Sequence, residues 1–120
     1  HFFVKTTDQI QLVVVNSSAY HATEAEVEHG RITPQTLELL DEMLEPRTIN
    51  ILMCHHNPQK HSELLLGEND EVRGGQLLLD LIGQPGRGNW LVVHGHKHHP
   101  KITYAAGGAR SAVVFSAGSA

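Results

Sequence analysis

Three apolar runs, separated by segments with helical features, determine the architecture expected for this chain. Residues 9–15, Ile49–Cys54 and Trp90–His94 are short, rich in large apolar side chains and bounded by polar or glycine-containing segments, which is typical of strands. Strands that alternate with helices build layered domains around a sheet. The sequence therefore predicts an α/β fold.

Helical signals occupy the segments between these strands. Thr33-Pro34 combines a hydroxyl N-cap with proline at the first helical position, and leucines recur at helical spacing until Pro46 ends the run. The other predicted elements are helices at 62–66 and Gly75–Ile82, the second begun by a glycine turn, and a hairpin of 102–105 with 112–116. Since no repeat or linker divides these elements, we expect one domain over residues 1–120.

Composition argues against several classes of function. The 120 residues carry a net charge of -4, and 9 Lys+Arg are scattered along the chain, so no nucleic-acid surface is expected. The one cysteine, Cys54, cannot form an internal disulfide and is expected to be a small buried hydrophobe. No apolar stretch approaches the roughly 20 residues of a membrane span, so we expect a cytoplasmic protein without a membrane partner. The unusual feature is the 10 histidines.

Histidines follow two of the predicted strands at the point where each strand ends. His55 and His56 follow the strand Ile49–Cys54, while His94, His96 and His98 alternate with other residues from the end of the next strand. Side chains two apart in an extended segment point the same way, and a neutral imidazole is a common metal ligand. If the two strands are parallel neighbours, both histidine clusters meet at one edge of the sheet. The sequence therefore predicts a metal site there.

The motifs at these two strand ends resemble those of the calcineurin-like metallophosphoesterases. Residues 51–58, with His56-Asn57-Pro58, followed by Gly95-His96-Lys97-His98, are similar to the family's last two motifs, His-x-Pro and Gly-His-x-His. Further similarity is found at residues 16–17, 30–32 and 115–119, in the family's order. The resemblance spans nearly the whole chain but only the C-terminal half of the family's domain. It implies a layered β-sandwich with flanking helices.

The resemblance also implies a site and a reaction. His56 and His96 would ligate the second of two metal ions and His98 the first, while His55 and His94 occupy places that the family does not use as ligands. The reaction would be hydrolysis of a phosphomonoester or phosphodiester by a dinuclear centre of divalent ions such as manganese, iron or zinc. Two ions about 3.5–4 Å apart neutralise phosphoryl oxygens and activate a water for attack. Phosphate ester is thus the expected substrate class.

The family's first three motifs have no counterpart in this sequence. They supply an Asp-x-His pair, a bridging aspartate and an Asn-His dipeptide, and the chain opens at the position just after the third of them. We therefore expect the chain to be the C-terminal part of a single phosphoesterase domain, with the N-terminal half of that domain as its partner. Alone, it is expected to bind metal weakly and to hydrolyse nothing. Asn16-Ser17 stands where the family often has Asp-Ser, a position usually outside the first metal shell.

Two other functions are open at this stage. The run from His94 to His99 fits the His-x-His-x-Asp-His motif of metallo-β-lactamase-like hydrolases except that His98 replaces the aspartate. A non-catalytic, histidine-rich metal-binding module is the other alternative, and it would need a closed site of four ligands. An Asp-x-His and an Asn-His dipeptide upstream of His1 would favour the phosphoesterase.

Overall fold

A computed structural model of the chain describes residues 2–18, 30–59, 72–95, 101–105 and 112–117. The predicted helix at 62–66, the turn of the hairpin, and both His96 and His98 lie outside the described residues. The described elements are β1 (Phe2–Thr6), β2 (Ile10–Val15), α1 (Pro34–Met43), β3 (Ile49–Cys54), α2 (Gly75–Ile82), β4 (Trp90–His94), β5 (Lys101–Tyr104) and β6 (Val113–Ser116).

The six described strands form one sheet in the order β1-β2-β3-β4-β6-β5. Strands β2, β3, β4 and β6 are parallel to one another, whereas β1 and β5 pair antiparallel at the two edges. The register places Val15 beside Cys54, Cys54 beside His94, and His94 beside Ser116. The carboxyl ends of the four parallel strands are therefore level. The predicted α/β class and the antiparallel pairing of the last two strands are confirmed.

The edge strand β1 was not predicted from the sequence. Its five residues pair with β2 from Phe2 beside Val15 to Thr6 beside Gln11, after a tight turn in which Thr7 N–H donates to the Ile10 carbonyl at 2.8 Å. Such a short segment has a weak local signal, and its conformation is set by the ladder it joins. Pairing with β2, rather than a periodic pattern in its own sequence, determines the extended conformation of β1.

One face of the sheet packs against both helices. The central strands contribute Val13, Leu52 and Val92, which are fully buried, and the helices contribute Leu40 and Leu78, also fully buried. Every second residue of these strands is buried, which is the alternation expected when one face of a sheet packs against a core. The predicted start of α2 is confirmed as well, since a glycine in the left-handed region precedes its first residue.

Polar residues inside this core are hydrogen-bonded to each other near the amino ends of the strands. Gln11 Nε2 donates to Asn50 Oδ1 at 3.1 Å, and Gln11 Oε1 accepts from the backbone N–H of Glu45 at 2.7 Å. Asn50 Nδ2 donates to the Arg47 carbonyl at 2.8 Å and to the Asn89 carbonyl at 2.9 Å. Because each amide serves backbone groups, this cluster is structural.

The other face of the sheet is apolar and exposed. Phe3, Val14, Met53, Leu91 and Phe115 keep between 37% and 55% of their surface accessible, although all lie on strands. Parallel sheets are normally covered on both faces, which is why their strands are apolar on both sides. The strands of this chain are thus apolar on both sides, as in a sheet with two covered faces, while the two helices that the structure describes cover one face.

The N-cap of α1 provides a stability prediction. Thr33 Oγ1 accepts a hydrogen bond from Thr36 N–H at 3.2 Å, and Pro34 follows at the first helical position. Thr33→Ala is expected to lower the free energy of unfolding by about 1 kcal/mol, because an N–H at the helix start loses its acceptor. Urea denaturation measures the change, with Thr48→Ala at an exposed position outside the helix as the control. Equal effects of the two substitutions would show that the cap contributes nothing.

Candidate functional site

Three neighbouring parallel strands bring buried polar side chains to one edge of the sheet. Ser17 lies two residues beyond β2, His56 two residues beyond β3, and His94 is the last residue of β4. Gly95 N–H donates to the carbonyl of His55 at 3.1 Å, so the two histidine-bearing loops are in contact where they leave the sheet. The strands that carry the two histidine loops are parallel neighbours, so the condition on which the predicted meeting of the loops depends is met.

His56 is held by a serine from the neighbouring strand. Ser17 Oγ lies 2.7 Å from His56 Nδ1 and accepts a second hydrogen bond, at 3.3 Å, from the backbone N–H of His56. The two residues keep only 1% and 2% of their surface accessible. A buried imidazole with one nitrogen bonded to a protein group has a defined ring orientation. His56 is therefore a preorganised side chain.

A glycine allows the chain to pass directly over this ring. Gly30 has a φ of +77°, in the left-handed region that favours glycine. A Cβ placed on Gly30 would lie 2.7 Å from the ring carbon Cγ of His56 and 2.7 Å from the Ser17 carbonyl oxygen, and closer still to the ring nitrogen Nδ1. Arg31 N–H donates to that same Ser17 carbonyl at 2.8 Å. The backbone at Gly30 thus packs directly against the ring of His56, with no room for a side chain between them.

The loop after His56 also contacts the segment at the start of α2. Val72 N–H donates to the Asn57 carbonyl at 2.6 Å, and a Cβ on Gly75 would lie 2.8 Å from the carbonyl carbon of Pro58. Asn57 and Pro58 are both buried. These contacts hold the His-x-Pro loop between two other segments, which gives His56 a rigid support.

The two neighbouring histidines have different surroundings. His55 is exposed, and its ring meets the ring of His56 edge-on, with centroids 4.8 Å apart and planes at 85°. His94 is buried, its Nδ1 lies 3.3 Å from the Gly95 carbonyl oxygen, and its own carbonyl accepts from Ala117 N–H at 2.8 Å. His94 is thus integrated into the strand end next to β6.

The other two predicted ligands, His96 and His98, lie outside the described residues. Within the ranges that the structure describes, no group of three His, Cys, Asp or Glu side chains is arranged to hold a metal ion. The three-histidine assignment of His56, His96 and His98 therefore stays a prediction. Of these three predicted ligands the structure describes His56, and its Nδ1 already has a hydrogen-bond partner, as is usual for the second nitrogen of a metal-bound imidazole.

Cys54 is next to these histidines in sequence, and its side chain is buried. Burial raises the pKa of its thiol from the ordinary value of 9.0 to about 12, and its Sγ donates to the His56 carbonyl oxygen at 3.2 Å. The prediction that Cys54 is a small buried residue is confirmed.

Cys54 is accordingly expected to resist alkylation in the folded chain. At pH 8, iodoacetamide should label the urea-unfolded chain and leave the folded chain unlabelled over the same time, as followed by mass spectrometry. Because folding raises the pKa of the Cys54 thiol, ionisation of this thiol also lowers the free energy of unfolding at high pH. The contribution of the thiol to that free energy is fully present below pH 9 and is lost as the pH rises towards 12. Rapid labelling of the folded chain at pH 8 would contradict the buried placement.

Sequence reasoning missed the parts played by Ser17 and Gly30. Ser17 enters the sequence prediction only in the pair Asn16-Ser17, and Gly30 only in residues 30–32, both through the family resemblance. A usable signal existed for Ser17, because it stands two residues beyond a strand end just as His56 does. For Gly30 no local signal exists, since its role depends on a ring that is distant in sequence.

Comparison with known proteins does not assign the chain to a family. A scan against protein-family models and a search of curated proteins both found no match. In the described part of the chain, every helix is too short or too polar to cross a membrane.

Proposed function

We propose that this chain supplies the C-terminal histidine ligands of a dinuclear metal centre in a calcineurin-like metallophosphoesterase, which hydrolyses a phosphomonoester or phosphodiester. The observation that carries the proposal is the register of β3 and β4, which sets Cys54 beside His94. The proposed ligands His56 and His96 each stand two residues further along the chain. Two motifs some forty residues apart thus begin from adjacent positions on one sheet edge.

The spacing of the strands supports a shared metal ion. Neighbouring strands lie about 4.8 Å apart, and an imidazole reaches several ångströms beyond its Cα, so ligands from two adjacent strand ends can meet at one ion. His98, two residues after His96, would reach the second ion. Metal sites in α/β proteins are commonly built in this way, at the carboxyl ends of neighbouring parallel strands.

The chemistry assigns a limited task to the residues of this chain. When bound, the two ions would neutralise the phosphoryl oxygens and lower the pKa of the attacking water. The histidines hold and orient the ions as neutral ligands, so they add no negative charge that would repel an anionic phosphate ester. His56 is buried, so water has little access to its ring. The carboxylate ligands would come from the first three family motifs.

The exposed apolar face supports the two-sheet architecture of that family. Phe3, Met53 and Phe115 lie on the face that the helices do not cover, and each is more than a third exposed. Two packed sheets lie about 10 Å apart and bury such faces against each other. We propose that the N-terminal half of the domain supplies the second sheet of the β-sandwich. The same half would supply the remaining metal ligands.

Metal analysis and turnover of the polypeptide that carries this chain together with the first three motifs would test the proposal. We expect two divalent ions per molecule, hydrolysis of aryl phosphate monoesters or diesters, loss of activity in a chelator, and its return with manganese or zinc. Metal binding without turnover of either ester would refute the hydrolase and favour a metal-binding module. Hydrolysis of a β-lactam instead would favour the metallo-β-lactamase alternative.

A further inference from the structure

Ser17 is a buried serine whose hydroxyl is held in a fixed position. Its backbone N–H donates to the Val15 carbonyl at 3.1 Å, and its carbonyl accepts from Arg31 N–H at 2.8 Å. The hydroxyl is buried and its oxygen is held by two contacts with His56, 2.7 Å from Nδ1 and 3.3 Å from the backbone nitrogen. Its backbone contacts would persist if the hydroxyl were removed, which makes the hydroxyl separately testable.

The direction of the hydrogen bond between Ser17 and His56 determines which nitrogen of His56 can bind a metal. A neutral imidazole carries one N–H and one lone pair, and the nitrogen that binds metal must present the lone pair. Ser17 Oγ already accepts the backbone N–H of His56 at 3.3 Å and has a second lone pair available for the ring N–H. Coordination through Nε2 and donation from Nδ1 to Ser17 are therefore compatible.

We infer that Ser17 is the positioning residue of the proposed metal centre, which accepts the Nδ1–H of His56 and so directs the Nε2 lone pair to the metal. The inference rests on the proposed function for its role, because it names the residue that prepares one of the ligands. Groups that hold metal-bound histidines in this way typically affect metal affinity by about 10–100-fold. Ser17 would touch neither metal nor substrate.

The test measures zinc affinity of the polypeptide that carries this chain, by competition with a chromophoric chelator, in four variants. Ser17→Ala and Ser17→Cys are expected to weaken zinc binding by about 10–100-fold, since both lose a good oxygen acceptor. Ser17→Thr keeps the hydroxyl and is expected to stay within about threefold of the original affinity. Ser116→Ala is the control, because Ser116 is a buried serine whose Oγ has no hydrogen-bond partner among the described residues.

A second readout separates positioning from general stability. In ¹⁵N-labelled, zinc-loaded protein, the Nδ1 proton of His56 should give a slowly exchanging resonance that persists in Ser17→Thr and is lost in Ser17→Ala and Ser17→Cys. A merely structural serine would lower the melting temperature without removing that resonance. Should Ser17→Cys bind zinc as tightly as the original protein with the resonance intact, the inference is overturned. If the original protein binds no zinc at all, it is the proposed function that fails.

Discussion

Substitution of His56 by alanine is expected to lower kcat/KM of the proposed phosphoesterase by about 10³-fold, which corresponds to about 4 kcal/mol of transition-state stabilisation. The reason is that the second ion would lose a ligand that is buried and already oriented by a hydrogen bond to Ser17. The ion is then held less tightly and less precisely. His98→Ala is expected to have a similar effect through the first ion, and steady-state kinetics on an aryl phosphate ester would measure both losses.

His55→Ala is the matched control for this prediction. His55 is adjacent to His56 in sequence and its ring is in contact with the ring of His56, but it is exposed and is not one of the proposed metal ligands. Its substitution is expected to change kcat/KM by less than about threefold, as is usual for a surface side chain. Metal content should fall in the His56 variant and remain at two ions in the His55 variant. The opposite result would move the ligand assignment to His55.

Substitution of Gly30 by alanine is expected to be far more destabilising than the same substitution at Gly86. Both glycines have left-handed φ angles, +77° and +84°, so both variants share a backbone cost of about 1–2 kcal/mol. A Cβ at Gly86 would have no atom within 4 Å, whereas a Cβ at Gly30 would lie against the His56 ring and the Ser17 carbonyl. Forcing the ring aside should add about 1–3 kcal/mol.

Urea denaturation of the two glycine variants measures that difference directly, because the shared backbone cost cancels. Zinc affinity gives an independent measurement, since a displaced His56 could no longer keep its contact with Ser17. We expect Gly30→Ala to weaken zinc binding and Gly86→Ala to leave it unchanged. An equal decrease in the free energy of unfolding in the two variants would contradict the close packing of Gly30 against the His56 ring.

The elements that were correctly predicted are those whose signals lie within a few residues of one another. Thr33 and Pro34 specify the start of α1 from neighbouring positions, and the apolar runs of β3 and β4 suffice to identify strands. The edge strand β1 was missed because its pairing with β2, rather than its own pattern, determines its conformation. The meeting of the histidine loops was predicted only conditionally, since strand order cannot be read from local patterns.

The contacts that prepare His56 show where local information ends. Ser17 and His56 are 39 positions apart, and their hydrogen bond exists because β2 and β3 are parallel and in register. Local propensity, periodicity and capping act over one or two turns of chain, so the amino-acid order alone was enough for the α/β class and for nominating the histidines. Packing between distant segments determines that Ser17 contacts the ring of His56 and that the residue packed against this ring must be a glycine. Those features depend on steric fit in three dimensions, so the folded chain was needed to find them.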